Sequence, residues 1–158
     1  MIDLRKITED EFAAFSEYFI ADYSKEISEN YGYSITKACE LAEQSLRESF
    51  PNGVEHSEHD LLCIVQVINT LPTVTGYLWH KVNISKKSTF IYDFYIDEKY
   101  RGKGIGKQAI NALEGQLKHQ KIFEIQLRVA FHNKRAFKLY KEVGFNITGY
   151  NMSKLISH

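Results

Sequence analysis

The sequence has no long apolar run, only two cysteines and no excess of charge of either sign. No apolar stretch approaches the length of about 20 residues that a membrane-spanning helix needs. Acidic and basic side chains, beginning with Asp3 and Arg5, interrupt the N-terminus where a signal peptide would need an apolar stretch. We therefore expect a cytoplasmic protein with no membrane segment, folded as one domain over residues 1–158.

The cysteines and histidines do not have the spacing of a metal site. Cys39 and Cys63 lie in apolar periodic segments and form no CxxC pair, so we interpret them as small buried side chains. The run from His56 to Asp60 contains potential ligands, but it follows the turn-forming residues 51–53. We interpret this run as a solvated loop and expect no bound metal.

The net charge of zero conceals two halves of opposite sign. Residues 1–60 contain 14 acidic and 5 basic side chains, whereas residues 61–158 contain 6 acidic and 15 basic ones. A basic half could attract an anionic ligand and an acidic half a cation. The alternative interpretation is that these charges lie on solvated helix faces.

The first third of the chain predicts one strand and two helices. A strand is expected over Ile2–Ile7. A helix then begins at Thr8, because Thr8 and Glu11 form a capping-box signature ahead of apolar residues at helical spacing. A second helix is expected over Thr36–Phe50, and the turn chemistry of Pro51–Gly53 ends it.

The middle of the chain predicts an antiparallel meander of three strands. Apolar and β-branched residues indicate strands over Leu61–Ile68, Thr73–Val82 and Phe90–Asp97. Strict alternation assigns one face of the third strand to Phe90, Tyr92, Phe94 and Ile96, and the other face to Ile91, Asp93, Tyr95 and Asp97. Asp93 is the unexpected charged residue in this pattern.

The last third predicts two helices and two strands. Ala109, Ile110, Leu113 and Leu117 have helical spacing. A strand is expected over Phe123–Val129, a helix over Asn133–Val143 with Asn133 as a plausible N-cap, and a final strand over Phe145–Tyr150.

A glycine-rich stretch between a strand and a helix is the most informative feature. It reads Tyr100-Arg101-Gly102-Lys103-Gly104-Ile105-Gly106-Lys107. Glycines at alternate positions let successive backbone N–H groups converge on an anion, and the following helix adds its positive N-terminal end. A dinucleotide fingerprint does not fit, because polar residues separate the first glycine from the preceding strand. The GxxxxGK[ST] pattern of a nucleotide-binding P-loop is absent.

Two motifs together resemble the GNAT superfamily of acetyltransferases. Arg101, Gly104 and Gly106 match the (Q/R)xxGxG/A motif for acetyl-CoA, and Asn133–Phe145 resembles the second cofactor motif, N-x-x-A-x-x-x-Y-x-x-x-G-F. The resemblance implies an α+β fold with a mixed, mostly antiparallel sheet of about six to seven strands flanked by about four helices. It also implies acetyl-CoA as co-substrate.

The resemblance implies roles for particular residues. The backbone at the end of the fourth strand would pair with the pantetheine arm, the glycine loop would hold the diphosphate, and Asn133 would either contact pantetheine or serve only as an N-cap. The implied cofactor-binding residues are Phe94, Tyr95, Ile96, Arg101, Gly102, Lys103, Gly104, Ile105, Gly106, Lys107 and Asn133.

Amide formation requires an acid for the leaving thiolate and a route for the proton of the amine. Tyr140 matches the usual general acid of the family, and the alternative is that it is only a core aromatic. Asp93 is the candidate base, and the alternative is a carboxylate that only binds the substrate cation.

We expect transfer of acetyl to a primary amine of a small cationic acceptor, of polyamine or amino-sugar type, by direct attack in a ternary complex. The alternatives are a protein N-terminus or lysine as acceptor, and a sensor that binds acetyl-CoA without turnover. The last helix has a basic face but no recognised nucleic-acid motif, so no nucleic-acid partner is expected. A homodimer is compatible with the resemblance.

Overall fold

Five strands and four α-helices form the regular structure of the protein, which a computed structural model describes from Met1 to His158. In chain order these elements are β1 (Ile2–Lys6), α1 (Glu9–Tyr31), α2 (Ile35–Ser49), β2 (His59–Ile68), β3 (Leu71–Asn83), β4 (Ser88–Ile96), α3 (Ile105–His119), β5 (Glu124–Leu127) and α4 (Lys134–Glu142). The strands form one sheet in the order β1-β2-β3-β4-β5. Its first three pairs are antiparallel and β4 with β5 is parallel.

The capping box predicted for α1 is present. Thr8 Oγ1 accepts a hydrogen bond from the Glu11 N–H at 3.3 Å, and Glu11 Oε1 accepts one from the Thr8 N–H at 3.1 Å. These bonds satisfy donors that the first turn of a helix otherwise leaves free. The helix ends at Gly32, whose φ of 72° is a left-handed conformation that glycine adopts without steric penalty.

Helices cover both faces of the sheet, because adjacent strand residues point to opposite sides. Leu78 packs against Ile110 and Leu113 of α3 on one face. Its neighbour Trp79 packs against Phe15 and other apolar residues of α1 and α2 on the opposite face. The fold class expected from the sequence, an α+β fold with a mixed and mostly antiparallel sheet, is confirmed.

The sheet has five strands rather than six to seven, and the strand expected over Phe145–Tyr150 is not formed. Phe145 packs its ring against Tyr140 at 5.5 Å, but residues 146–158 make no ladder with β5 and are exposed. A strand is stabilised by a hydrogen-bonded neighbour and one buried face, and this segment has neither.

A β-bulge in β4 changes the faces expected for that strand. Trp79 of β3 pairs with Asp93 and the next residue, His80, pairs with Ile91, so Tyr92 is an extra residue in β4. Tyr92 consequently stacks on Trp79, on the side of α1, while Phe94 packs on the side of α3. The predicted grouping of Phe90 and Tyr92 with Phe94 and Ile96 was wrong, because a bulge interrupts the two-residue alternation. Ile91 likewise joins the α3 face, apart from Asp93 and Tyr95.

Candidate active site

Strand β5 ends before β4 does, so one edge of β4 is open towards its carboxyl end. Their pairing extends only from Ser88 opposite Glu124 to Ile91 opposite Leu127. Strand β4 continues to Ile96, and no strand pairs with this last part on the β5 side. An unpaired strand edge presents N–H and C=O groups to which an extended ligand can bind as an added strand.

Asp93 and Tyr95 of β4 lie on the α1 side of the sheet, because residues two apart in a strand share a face. Asp93 receives hydrogen bonds from the Tyr18 hydroxyl of α1, and the Tyr95 ring stacks on the Tyr18 ring with centroids 3.8 Å apart. Asp93 keeps a small accessible surface although protein atoms surround its carboxylate. The open edge of β4 is therefore next to a carboxylate.

The glycine loop presents a row of backbone donors without partners. Gly102 and Gly104 have φ values of 77° and 78°, in the left-handed region that favours glycine. None of the six N–H groups from Gly102 to Lys107 donates a hydrogen bond within the protein. The last three belong to the first turn of α3, where the helix dipole also favours an anion.

Gly106 has a packing role beside the cofactor-binding role predicted for it. A Cβ at Gly106 would lie 2.9 Å from Leu139 Cδ2 of α4, so the residue permits close packing of α3 on α4. Its φ is not in the left-handed region, unlike that of Gly104. The third glycine of the motif is thus explained by helix packing, although its N–H remains free for a ligand.

The charged side chains of the loop are placed differently. Lys103 and Lys107 are exposed. Arg101 instead donates a hydrogen bond from Nε to the Ile96 carbonyl at 2.7 Å and lies over the Tyr95 ring at 5.4 Å. It therefore ties the loop to the end of β4. Ile105 is buried in the core beneath the loop and anchors the start of α3.

Burial raises the pKa of Asp93 to about 8. The hydrogen bond from Tyr18 opposes this effect, while the nearby carboxylates of Asp22 and Glu26 add to it. A carboxyl group with a pKa near the working pH can both accept and release a proton, which is the property of a general base.

Tyr140 of α4 has a buried ring and a hydroxyl without a partner. It is 9% exposed and packs beside Phe94 and Phe145. Its hydroxyl makes no hydrogen bond to the protein, yet it is not an enclosed unsatisfied group, so solvent reaches it. Burial raises the pKa of Tyr140, and the charge of Asp93 raises it further. The hydroxyl is therefore protonated throughout the physiological pH range.

Two acidic residues of α1 extend this site, and they were not among the site residues predicted from the sequence. Asp22 and Glu26 follow Tyr18 by four and eight residues, so they lie on the same helix face. Desolvation by surrounding protein raises the pKa of both, although Asp22 is exposed, and neither carboxylate has a salt-bridge partner within 4 Å. The charge of Arg101 is the largest effect that lowers the pKa of Asp22, and the charge of Arg128 lowers the pKa of Glu26. The helical spacing from Tyr18 is the signal that could have identified them.

Asn133 is the N-cap of α4, as one of its two predicted roles requires. Its Oδ1 accepts a hydrogen bond from the Ala136 N–H at 3.1 Å. The Asn133 side chain is exposed, and its amide N–H groups donate no hydrogen bond within the protein. These groups remain available to a ligand.

The run from His56 to Asp60 is not simply the solvated loop expected. His59 begins β2, and its Nδ1 accepts a hydrogen bond from Trp79 Nε1 at 2.9 Å. The indole donor of the largest core side chain is thereby satisfied, which explains the histidine structurally. No three histidine, cysteine or acidic side chains are grouped closely enough to hold a metal ion.

A separate groove of about 330 Å³ lies between α1 and α2. It is lined by Tyr23, Tyr31, Tyr33 and several residues of α2, and it contains none of the site residues predicted from the sequence. None of the helices is both long enough and apolar enough to cross a membrane.

The open edge of β4 beyond its pairing with β5, the free N–H groups of the glycine loop and Tyr140 are the features expected from the resemblance to GNAT acetyltransferases. The model of the Acetyltransferase (GNAT) family matches residues 12–145, and the chain belongs to this family. It is therefore an acyltransferase, and acetyl-CoA is its acetyl donor, as expected from the two sequence motifs.

Particular relatives are similar over the whole chain. The Bacillus subtilis protein named "Uncharacterized N-acetyltransferase YycN" is 32% identical over 155 residues, covering 97% of each chain. Its crystal structure has a TM-score of 0.89, with 31% identity and 100% of both chains covered.

Two further similarities are more restricted. The spermine/spermidine N(1)-acetyltransferase of Bacillus subtilis is 40% identical over 57 residues, covering 35% of this chain and 38% of the relative. The PaiA N-acetyltransferase from Thermoplasma acidophilum, solved in complex with coenzyme A, has a TM-score of 0.62 and 19% identity, with 96% of this chain and 93% of the other covered. The latter similarity shows the shared fold.

Proposed function

We propose that the protein transfers acetyl from acetyl-CoA to a primary amine of a small cationic acceptor, by direct attack in a ternary complex. The observation that carries this proposal is the buried Asp93 carboxylate beside the open edge of β4, with Tyr140 near it and two further carboxylates on α1. This arrangement offers a proton acceptor, a proton donor and a negative surface for a cation.

The acetyl-CoA would lie between the glycine loop and the open edge of β4. The free N–H groups of residues 102–107 support diphosphate binding, and Lys103 and Lys107 add positive charge. The unpaired backbone of Phe94, Tyr95 and Ile96 supports binding of the pantetheine arm as an added strand. The exposed amide of Asn133 is a further candidate contact.

The Gly104→Val substitution tests the diphosphate position. Valine disfavours the left-handed conformation of Gly104 and places methyl groups beside the N–H row, although space exists for a Cβ, whose nearest neighbour would be 3.9 Å away. We expect the KM for acetyl-CoA, and its calorimetric Kd, to rise by about tenfold or more, with the fold retained.

Gly115→Ala in α3 is the matched control. This glycine is exposed in the helix with no neighbour within 4 Å of an added Cβ. Alanine there is expected to increase stability by about 0.5–1 kcal/mol and to leave acetyl-CoA affinity unchanged. An unchanged affinity in Gly104→Val would show that the loop does not hold the diphosphate.

The proposed reaction moves two protons. The neutral amine attacks the thioester carbonyl carbon, the oxyanion then collapses, and the C–S bond breaks. Asp93 accepts the amine proton and Tyr140 donates a proton to the sulfur, so CoA leaves as the thiol. A backbone N–H near Tyr95 or Ile96 is the proposed donor to the oxyanion. Since Asp93 must be ionised to act as base, the rate is expected to rise as the pH passes its pKa.

The acceptor is proposed to be a small molecule with more than one cationic group, as in a polyamine; an amino sugar with several amines fits the same chemistry. Asp22 and Glu26 follow Tyr18, the α1 residue that bonds to Asp93, and have no salt-bridge partner, so they could bind a second ammonium group. The partial similarity to a spermine/spermidine acetyltransferase supports this class.

Removing the two carboxylates should affect acceptors according to their charge. In the Asp22→Asn and Glu26→Gln variants, we expect the KM for a linear diamine to rise by about 5–20-fold with little change in kcat, because an interaction with the remote cation is lost. The KM for a monoamine of similar length should change less than twofold. Glu17→Gln, an exposed neutralisation on the same helix, is the control. An equal effect on both acceptors would exclude recognition of the second ammonium.

Thiol release from acetyl-CoA with a panel of polyamines, amino sugars, amino acids and basic peptides tests the function as a whole. Turnover with small polycations supports the proposal. Turnover confined to peptides would instead identify a protein N-terminus or lysine as acceptor. Calorimetric binding of acetyl-CoA without turnover on any amine would favour the sensor.

The cytoplasmic location, the single domain and the homodimer stay predictions. Size-exclusion chromatography with light scattering would determine the oligomeric state directly.

A further inference from the structure

The hydroxyl of Tyr18 is the hydrogen-bond donor to the Asp93 carboxylate. It lies 3.1 Å from Oδ1 and 3.0 Å from Oδ2, and no other side chain donates to either oxygen. Tyr18 belongs to α1 and lies 75 residues from Asp93 in the sequence. No sequence motif indicates this contact, and the roles proposed above do not use it.

Aromatic neighbours fix the position of this hydroxyl. The Tyr18 ring stacks on the rings of Tyr95 and Tyr77, with centroid distances of 3.8 Å and 5.9 Å. The Phe15 ring meets it edge-on, with centroids 5.9 Å apart. A ring held on several sides has few alternative rotamers, so its O–H cannot readily turn away from the carboxylate. The donor is thus placed before any acceptor binds.

We propose that Tyr18 is the positioning residue of the catalytic base: its O–H holds the Asp93 carboxylate in one orientation and favours the ionised form. The inference rests on the proposed function, since the role of Asp93 as base belongs to it. Tyr18 acts through Asp93 and does not itself exchange a proton with the substrates. Burial raises the pKa of the Tyr18 hydroxyl, so it stays a donor at all physiological pH values.

The direction of the effect follows from the groups around Asp93. Burial and the like charges of Asp22 and Glu26 raise its pKa, and the hydrogen bond from Tyr18 lowers it. The remaining titratable neighbours of this pair are Tyr77 on β3, Tyr95 on β4 and Tyr140 on α4, and all three are neutral at physiological pH because burial raises their pKa values further. Loss of the Tyr18 hydroxyl therefore moves the pKa of Asp93 upward from about 8.

Direct titration of Asp93 provides the first test, and it needs no acceptor. Aspartate carboxyl carbons are labelled with ¹³C, and the Asp93→Asn variant identifies the Asp93 resonance. We expect Tyr18→Phe to raise the Asp93 pKa by about one pH unit, the size expected for loss of one charge-assisted hydrogen bond. Tyr77→Phe is the matched control, because Tyr77 stacks on the same ring without bonding to Asp93.

The pH dependence of kcat/KM, measured with acetyl-CoA and 1,5-diaminopentane, provides the second test. The acid limb should move to higher pH by about the same amount in Tyr18→Phe, and it should stay in place in Tyr77→Phe. In the Asp93→Asn background, adding Tyr18→Phe should change the rate by less than twofold, since the residue through which Tyr18 acts is gone.

The outcomes separate the two claims. If the wild-type protein transfers acetyl with an acid limb, but Tyr18→Phe moves neither this limb nor the Asp93 titration, the inference on Tyr18 is overturned and the proposed function stands. Additive losses in the double variant would likewise show that Tyr18 acts by another route. Absence of turnover in the wild-type protein would overturn the proposed function, and the inference with it.

Discussion

Asp93→Asn is expected to lower kcat for acetyl transfer by about 10²-fold or more at pH 7.5, because it removes the proposed acceptor for the proton of the amine. Asparagine preserves the shape of the side chain and can still accept a hydrogen bond from Tyr18. The acid limb set by the pKa of Asp93 should be replaced by one set by the ionisation of the amine, whose pKa is about 10. The remaining rate should rise with pH as the fraction of free amine increases, so the loss is smallest at the highest pH.

Whether the substitution changes kcat or the KM for the acceptor decides between the two proposed roles of Asp93. If Asp93 only binds the substrate cation, the asparagine variant raises the acceptor KM and leaves kcat nearly unchanged. That result would contradict the assignment of Asp93 as base. Asp3→Asn, the same change on the exposed surface of β1, is the control for general effects of the lost charge.

Tyr140→Phe is expected to lower kcat by about 10- to 100-fold with little change in the KM for acetyl-CoA. Phenylalanine keeps the ring packing against Phe94 and Phe145. Because the lost hydroxyl has no hydrogen-bond partner in the protein, the Tm should stay within about 1 °C of the wild-type value. The two measurements together separate a catalytic loss from a folding defect.

The pH dependence of this variant adds a sharper criterion. A thiol has a pKa of about 8.5, so CoA can leave as the thiolate more easily above this pH. The deficit of Tyr140→Phe should therefore shrink towards pH 9.5. Tyr92→Phe removes a hydroxyl from the exposed bulge residue that stacks on Trp79; it is the control and should retain full activity. A Tyr140→Phe enzyme with wild-type kcat at neutral pH would show that water or another group protonates the sulfur.

The parts of the fold that could be predicted from the sequence depend on local chemistry. The capping box at Thr8 and the helical spacing after it act within a few residues, and both were predicted correctly. The glycine loop was recognised because the left-handed conformations of Gly102 and Gly104 exclude most other residues. The order of strands and helices up to α4 agrees with the structure for the same reason.

The features that could not be predicted depend on contacts between distant segments. The bulge at Tyr92 arises from the pairing of β4 with β3, and it decides which side chains accompany Asp93. Tyr18 bonds to Asp93, which is 75 residues away in the sequence. Asp22 and Glu26 belong to the site only because they lie on the same face of α1 as Tyr18. The failure of residues 145–150 to form a strand likewise reflects the lack of a pairing partner, which an apolar pattern does not reveal.

The most direct test of the account is an initial-rate study of thiol release by the wild-type protein, with acetyl-CoA and 1,5-diaminopentane varied together and the product mass recorded. We predict turnover, a product heavier by one acetyl group, and intersecting double-reciprocal lines, as direct attack in a ternary complex requires. Parallel lines would indicate an acetylated enzyme intermediate, and tight acetyl-CoA binding without turnover on this or any other small amine would contradict the proposed acetyltransferase function.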